Sequence, residues 1–217
     1  VVVEKVAYKP LRNASPLAVL ITAIGVSYLL QNVALIIFGS AAQSFTSVVK
    51  NVAPVTIGGV TISMETIISI VVSVIIMICL TFFINKTKSG KAMLAVSEDK
   101  GAAQLMGINV NSTISLTFAI GSALAGVASV LLCSSYPQIS PYTGSMPGIK
   151  AFVAAVFGGI GSIPGAMIGG ILLGVIENLS KAYISSQLSD AIVFLVLIVV
   201  LIVKPTGIMG KKINEKV

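Results

Sequence analysis

Long apolar runs separated by short polar segments make up most of this chain. PLAVLITAIGVSYLLQNVALIIF (16–38), TIISIVVSVIIMICLTFFI (66–84) and TISLTFAIGSALAGVASVLLCS (113–134) carry no charged residue. Each exceeds the roughly 18 residues that mark a membrane-crossing helix. The β-branched content of 66–84 does not argue for a strand, because in lipid a lone segment satisfies its backbone only as a helix. GIKAFVAAVF (148–157) is apolar but, at about 1.5 Å per residue, spans only about half of a bilayer. GGIGSIPG then interrupts the pattern. AMIGGILLGVIENLSKAYI (166–184) resumes it, and a last run, taken as 187–203, stops at Lys204 and Pro205. Pro16 suits a helix start, where its missing N–H costs nothing. VTIGGVTIS (55–63) reads as a small hairpin. The pattern predicts an all-α, polytopic membrane protein, one transmembrane domain over 1–217, with a broken or re-entrant helix near 148–165.

Composition agrees: 56% of residues are hydrophobic, 10% are charged, and the mean hydropathy is +1.04. The net charge of +7 raises nucleic-acid binding, but the positions of the lysines argue against it. Lys5, Lys9 and Arg12 lie in 1–15. Lys86, Lys88, Lys91 and Lys100 lie in 85–112, and Lys204, Lys211, Lys212 and Lys216 lie at the C-terminus. The alternate loops hold only Lys50. Basic residues concentrate in cytoplasmic loops, so 1–15, 85–112 and the C-terminus are expected in the cytoplasm. Tyr136, Tyr142 and Tyr183 then fall at the outer interface. With 135–147 outside and the tail inside, 148–184 must cross an even number of times. Val1–Val3 read as the remnant of an apolar segment, so the start is expected to be N-terminally truncated.

The break holds Gly158, Gly159, Gly161, Ser162, Pro164 and Gly165, which cannot sustain a regular helix. Irregular backbone at membrane depth is tolerated where protein or a water-filled cavity satisfies it, and broken helices of this kind line transport sites. Two readings stand: a re-entrant element on a translocation path or gate, and a tight loop at one membrane face. Gly165/Gly169, Gly170/Gly174 and the Gly121–Gly126 stretch are small-residue seams for close helix approach. Gln31, Asn32, Glu177 and Asn178 are polar groups within apolar runs. They are functional candidates because such groups are costly in lipid, or interfacial groups, with Lys181 available to Glu177 four residues on. Cys79 and Cys133 read as small buried hydrophobes.

VSEDKGAAQLMGI (96–108) is the polar exception. Ser97 suits an N-cap, Glu98 and Asp99 suit the first turn, and Gly107 suits a left-handed C-cap. Ala102, Ala103, Leu105 and Met106 give the helix an apolar side. It is too short to stand alone in water, and its acids and alanines do not suit a membrane-surface anchor. A partner protein is the expected receiver. The chain has no P-loop motif, no histidine and no cysteine cluster, so no catalytic or metal site is expected and the chain is not expected to be an enzyme.

EDKGAAQLMGI resembles the cytoplasmic coupling loop of ABC importer permeases. KAFVAAVFGGIGSIPGAMIGGILLGVIE, AYKPLR, LITAIGVSYLLQN and KPTGIMG resemble the branched-chain amino acid permeases of the hydrophobic amino acid uptake family. The resemblance covers nearly all 217 residues. It implies a bacterial or archaeal cell membrane, a second homologous permease subunit, two ATPase subunits that hydrolyse the ATP, and a soluble substrate-binding protein. It also implies that Ser97–Ile108 dock in a cleft of the ATPase. Relatives in the family serve urea, other amides and other amino acids. A secondary transporter is the alternative that needs no ATPase.

Overall fold

The computed structural model describes residues 2–12, 14–46, 55–57 and 59–210. It divides into two compact units: Val1–Ile75 with Phe82–Thr143, and Gly144–Val217 with Ile76–Thr81.

The first unit opens with a π-helical turn, Glu4–Tyr8, and a 3-10 turn, Lys9–Leu11. Helix α1 follows at Pro16–Phe38, with Ser15 as its N-cap and Pro16 in its first turn. A two-residue strand β1 (Gln43–Ser44) comes next, then β2 (Val55–Ile57) and β3 (Val60–Ile62), which pair antiparallel with Thr56 opposite Thr61. Gly59 supplies the positive φ (+86°) of the hairpin turn.

Helix α2 is Met64–Lys86. Thr87 ends it and starts α3 (Lys88–Glu98): its Oγ1 donates to Phe83 O at 2.7 Å and accepts from Gly90 N at 3.0 Å. Gly90 is required at this corner, since a Cβ there would stand 2.3 Å from Phe83 O. A six-residue α4 (Lys100–Leu105) leads through Gly107 to α5 (Val110–Ser135), and β4 (Gln138–Ile139) follows. β4 pairs with β1, Gln43 opposite Ile139. The C-terminal ends of α1 and α5 therefore share one side of this unit.

The apolar windows of α1, α2 and α5 are 0% buried. Helices apolar all round that meet almost no protein suit a hydrocarbon solvent. Cys79 on α2 is accordingly exposed and Cys133 only partly covered, which corrects the expectation that both are buried. In lipid an apolar side chain loses nothing by facing outward.

The second unit is a three-helix assembly of α6 (Ser145–Gly158), α7 (Ile163–Tyr183) and α8 (Ser189–Val203). The last helix starts at Ser189 rather than 187, after a short turn. Val153, Phe157, Leu173 and Val193 form the core, with Phe194, Leu197 and Ile208 packed on it. Four helices of the described residues, α1, α2, α5 and α7, are long and apolar enough to cross a membrane; α6, at 14 residues, is about 21 Å long.

Candidate functional site

The segment 85–112 folds as a helix pair, which changes how its residues work. Ser97 lies inside α3, where its Oγ donates to Leu94 O at 2.7 Å. It is not a cap, and Glu98 closes α3 instead of opening the next helix. Asp99 is the N-cap of α4: its Oδ1 accepts from Gly101 N at 2.7 Å and Ala102 N at 3.0 Å. A carboxylate there satisfies two orphan N–H groups and complements the helix dipole. At the other end Gly107 takes φ +79°. Gly107 N donates to Gln104 O and Ile108 N to Ala103 O, both at 3.0 Å, the Schellman arrangement.

The expected apolar side divides in two. Ala103 is 3% exposed and turns inward, where α4 rests on α3 and α5. Leu105 and Met106 are 91% and 82% exposed, and Ala102 is also exposed. The two alanines therefore part: Ala103 seats the helix, and Leu105 and Met106 project.

A polar clasp joins the N-terminal segment to this region. Glu4 is 1% exposed. It pairs with Arg12 and accepts from Ser115 Oγ at 3.0 Å. Arg12 also donates to Asn111, and Lys100 Nζ donates to Arg12 O at 3.3 Å. Burial pushes the Glu4 carboxyl up. The hydrogen bonds from Ser115 and Arg12 and the guanidinium charge outweigh burial and hold it below its ordinary value. Tyr8 packs against Phe118 in a tilted arrangement, ring centroids 5.0 Å apart. Residues 2–12, α4 and the start of α5 thus share one side of the unit, opposite the β1–β4 pair.

In the second unit the glycines of the break make contacts that no other residue allows. A Cβ on Gly158 would stand 2.0 Å from Gly165 O, and one on Gly169 would stand 2.5 Å from Ala154 O. Gly159 and Gly161 turn the chain at φ +111° and +88°, and Ser162 caps α7 by accepting from Gly165 N at 3.1 Å, with Pro164 in the first turn. The chain after α8 folds back onto this turn. Ile208 N donates to Phe157 O at 3.0 Å and Met209 N to Gly158 O at 2.9 Å. A Cβ on Gly159 would stand 2.3 Å from Gly210 N. The freed carbonyls of the break are thus satisfied by backbone from TGIMG. Of the glycine seams, Gly165/Gly169 is filled within the chain. A Cβ at Gly174, Gly121 or Gly126 would meet nothing within 4 Å.

The opposite end of this assembly carries four charges. Lys150 Nζ on α6 lies 2.8 Å from Glu177 Oε1 on α7 and 2.8 Å from Asp190 Oδ1 on α8. Lys181 Nζ reaches Glu177 Oε1 at 2.5 Å, the pairing that their spacing made available. Lys150 and Asp190 did not stand out in the sequence. The available signal was that each lies in or beside an apolar helix with no opposite charge three or four residues away, so each needs a partner from another helix. Asn178 Nδ2 donates to Gly174 O and Asn32 Nδ2 to Tyr28 O, so each amide nitrogen bonds within its own helix. Gln31 is half-buried on α1. Among the described residues no three His, Cys, Asp or Glu side chains gather to hold a metal ion.

The fold is that of a helical, multi-pass membrane protein with a capped polar helix between two of its spans. The family model described as "Branched-chain amino acid transport system / permease component" matches residues 7–201, and the chain belongs to this family. It is 47% identical to the high-affinity branched-chain amino acid transport system permease protein LivH of Escherichia coli (strain K12), over 99% of this chain and 71% of that protein. It is 45% identical, over the same shares, to the corresponding protein BraD of Pseudomonas aeruginosa. A probable LivH of Methanocaldococcus jannaschii is 35% identical over 66% of this chain and 47% of its own length. No solved structure matches the chain.

Proposed function

We propose that this branched-chain amino acid permease is one of two homologous membrane subunits of an ATP-driven importer. It forms the translocation path and takes its power from two ATPase subunits, one of which receives α4, while a soluble binding protein delivers the amino acid from outside. The observation that carries the reading is α4 itself. A six-residue helix is far too short to persist alone, yet it is capped at both ends and holds Leu105 and Met106 exposed. Exposed large apolar side chains on a rigid mount suit a protein cleft. The sharing of one side by residues 2–12 and α4, opposite the β1–β4 pair, supports cytoplasmic 1–15 and 85–112. The tail seated on the 159–162 turn supports α6 and α7 as a crossing pair whose turn lies on the cytoplasmic side. The close glycine packing there supports motion about residues 158–165 rather than passage through them.

The test is Leu105→Glu with Met106→Glu in the assembled importer. Both side chains are exposed and pack on nothing in the chain's core, so the permease should reach the membrane in ordinary amount. The ATPase subunits should no longer co-purify and ATP-dependent uptake should be lost. Retention of both activities sinks the docking role of α4.

A further inference from the structure

The two ends of the α6–α7–α8 assembly are held by different forces. At the turn end, α6 is fixed by backbone: two hydrogen bonds from Ile208 and Met209, and glycine contacts at Gly158, Gly159 and Gly165 that leave no space for a methyl group. At the other end, Lys150 bridges Glu177 and Asp190 by side chains alone. Those side chains are 26%, 17% and 39% exposed, so the ion pairs are not sealed inside the assembly, and on the outer side, where the reading above puts them, water reaches them. Partly exposed ion pairs contribute little to stability and exchange readily with water. The contacts at the turn end cannot slide without breaking backbone hydrogen bonds.

We infer that α6 is a lever pivoted at the Gly158–Gly165 turn, and that Lys150, Glu177 and Asp190 form a latch that closes its free end and releases during transport. The latch is chemically balanced: Lys150 and Lys181 offset Glu177 and Asp190. Opening therefore exposes both signs to water and leaves no unpaired charge buried, the costly outcome that would make a buried ion pair a permanent brace. Lys150 and Glu177 hold α6 to α7, and Asp190 adds α8, so one lysine controls both contacts. The inference rests on the permease reading above, which puts this end of the assembly on the outer side, where the substrate arrives.

The experiment uses the complete importer in proteoliposomes, with Cys79→Ser and Cys133→Ser, and Lys150→Cys with Asp190→Cys joined by a short, reducible bis-thiol reagent. Cross-linking should stop ATP-dependent uptake, and reduction should restore it; uptake that survives the cross-link makes the contact a static brace and overturns the latch. A second variant, Lys150→Met, removes the bridge without a reagent. ATP hydrolysis in the absence of binding protein should rise by about fivefold, the low end of common coupling factors. A ratio of basal to stimulated hydrolysis equal to that of the unaltered importer overturns the latch as well. Absence of ATP-dependent uptake in the unaltered importer would instead sink the permease reading, so the two failures are separable.

Discussion

Asp99→Ala removes the group on which α4 depends. Its Oδ1 accepts from Gly101 N and Ala102 N at 2.7 and 3.0 Å, and both N–H groups are left to water in the variant. Loss of an N-cap costs about 1 kcal/mol. Gly101 in the first turn adds no propensity to offset it, since glycine is about 1 kcal/mol worse than alanine in a helix. About 1 kcal/mol is a factor of about five in the population of a marginal element. In this six-residue helix that factor falls directly on the surface offered to the ATPase. Hydrogen exchange of amides 101–105 in the nanodisc-held importer should speed up about fivefold, in parallel with weaker ATPase retention. Asp99→Asn keeps an acceptor of similar capping strength and should behave much like the parent. Ser97→Ala should change little, because the Ser97 hydroxyl bonds to a carbonyl of its own helix. If Ser97→Ala matched Asp99→Ala in exchange rate and ATPase loss, the assignment of the cap, and the division of 88–105 into two helices, would be wrong.

Gly158→Ala puts a Cβ 2.0 Å from Gly165 O and should lower the thermal stability of the purified permease by the cost of overpacking, about 1–3 kcal/mol. Gly170→Ala, whose Cβ would lie 3.8 Å from that of Ala154, should fold normally, and a shared loss of stability would refute the seam. Glu4 has a folded-state pKa below its ordinary value. Its contribution is therefore present near neutral pH and lost as pH falls through that lowered value. Thermal melts from neutral to acid pH should lose part of this acid sensitivity in Glu4→Gln; an unchanged acid limb would show that the clasp adds nothing. Gly90→Ala drives a Cβ to 2.3 Å from Phe83 O and should disrupt the α2–α3 corner, read as reduced membrane yield and faster exchange across 86–92.

Much of the architecture was legible because lipid imposes one solution on each long apolar run. The helix at Pro16–Phe38 begins and ends where the apolar run does, and Gly107 terminates α4 in the left-handed region as its position suggested. The Glu177–Lys181 pair was one of two placements that the sequence left open to Glu177, and helical spacing allows it. These are local facts: period, cap and punctuation act within a few residues, and one chain segment displays them.

Other features came only from the fold. Ser97 and Asp99 are equally good caps by residue type, and the choice fell to Asp99 because α3 packs as far as Glu98 and leaves the chain to restart there. The inward turn of Ala103 depends on where α3 and α5 lie. The bridge from Lys150 to Glu177 and Asp190 joins residues 27 and 40 positions apart by their numbering, and no pattern within one helix encodes it. The glycines of GGIGSIPG announced a break by themselves, because they cannot hold a helix. That TGIMG, more than forty residues later, closes that break with its own N–H groups was decided by the tertiary structure, since a carbonyl freed from one helix takes whichever donor the packing brings to it.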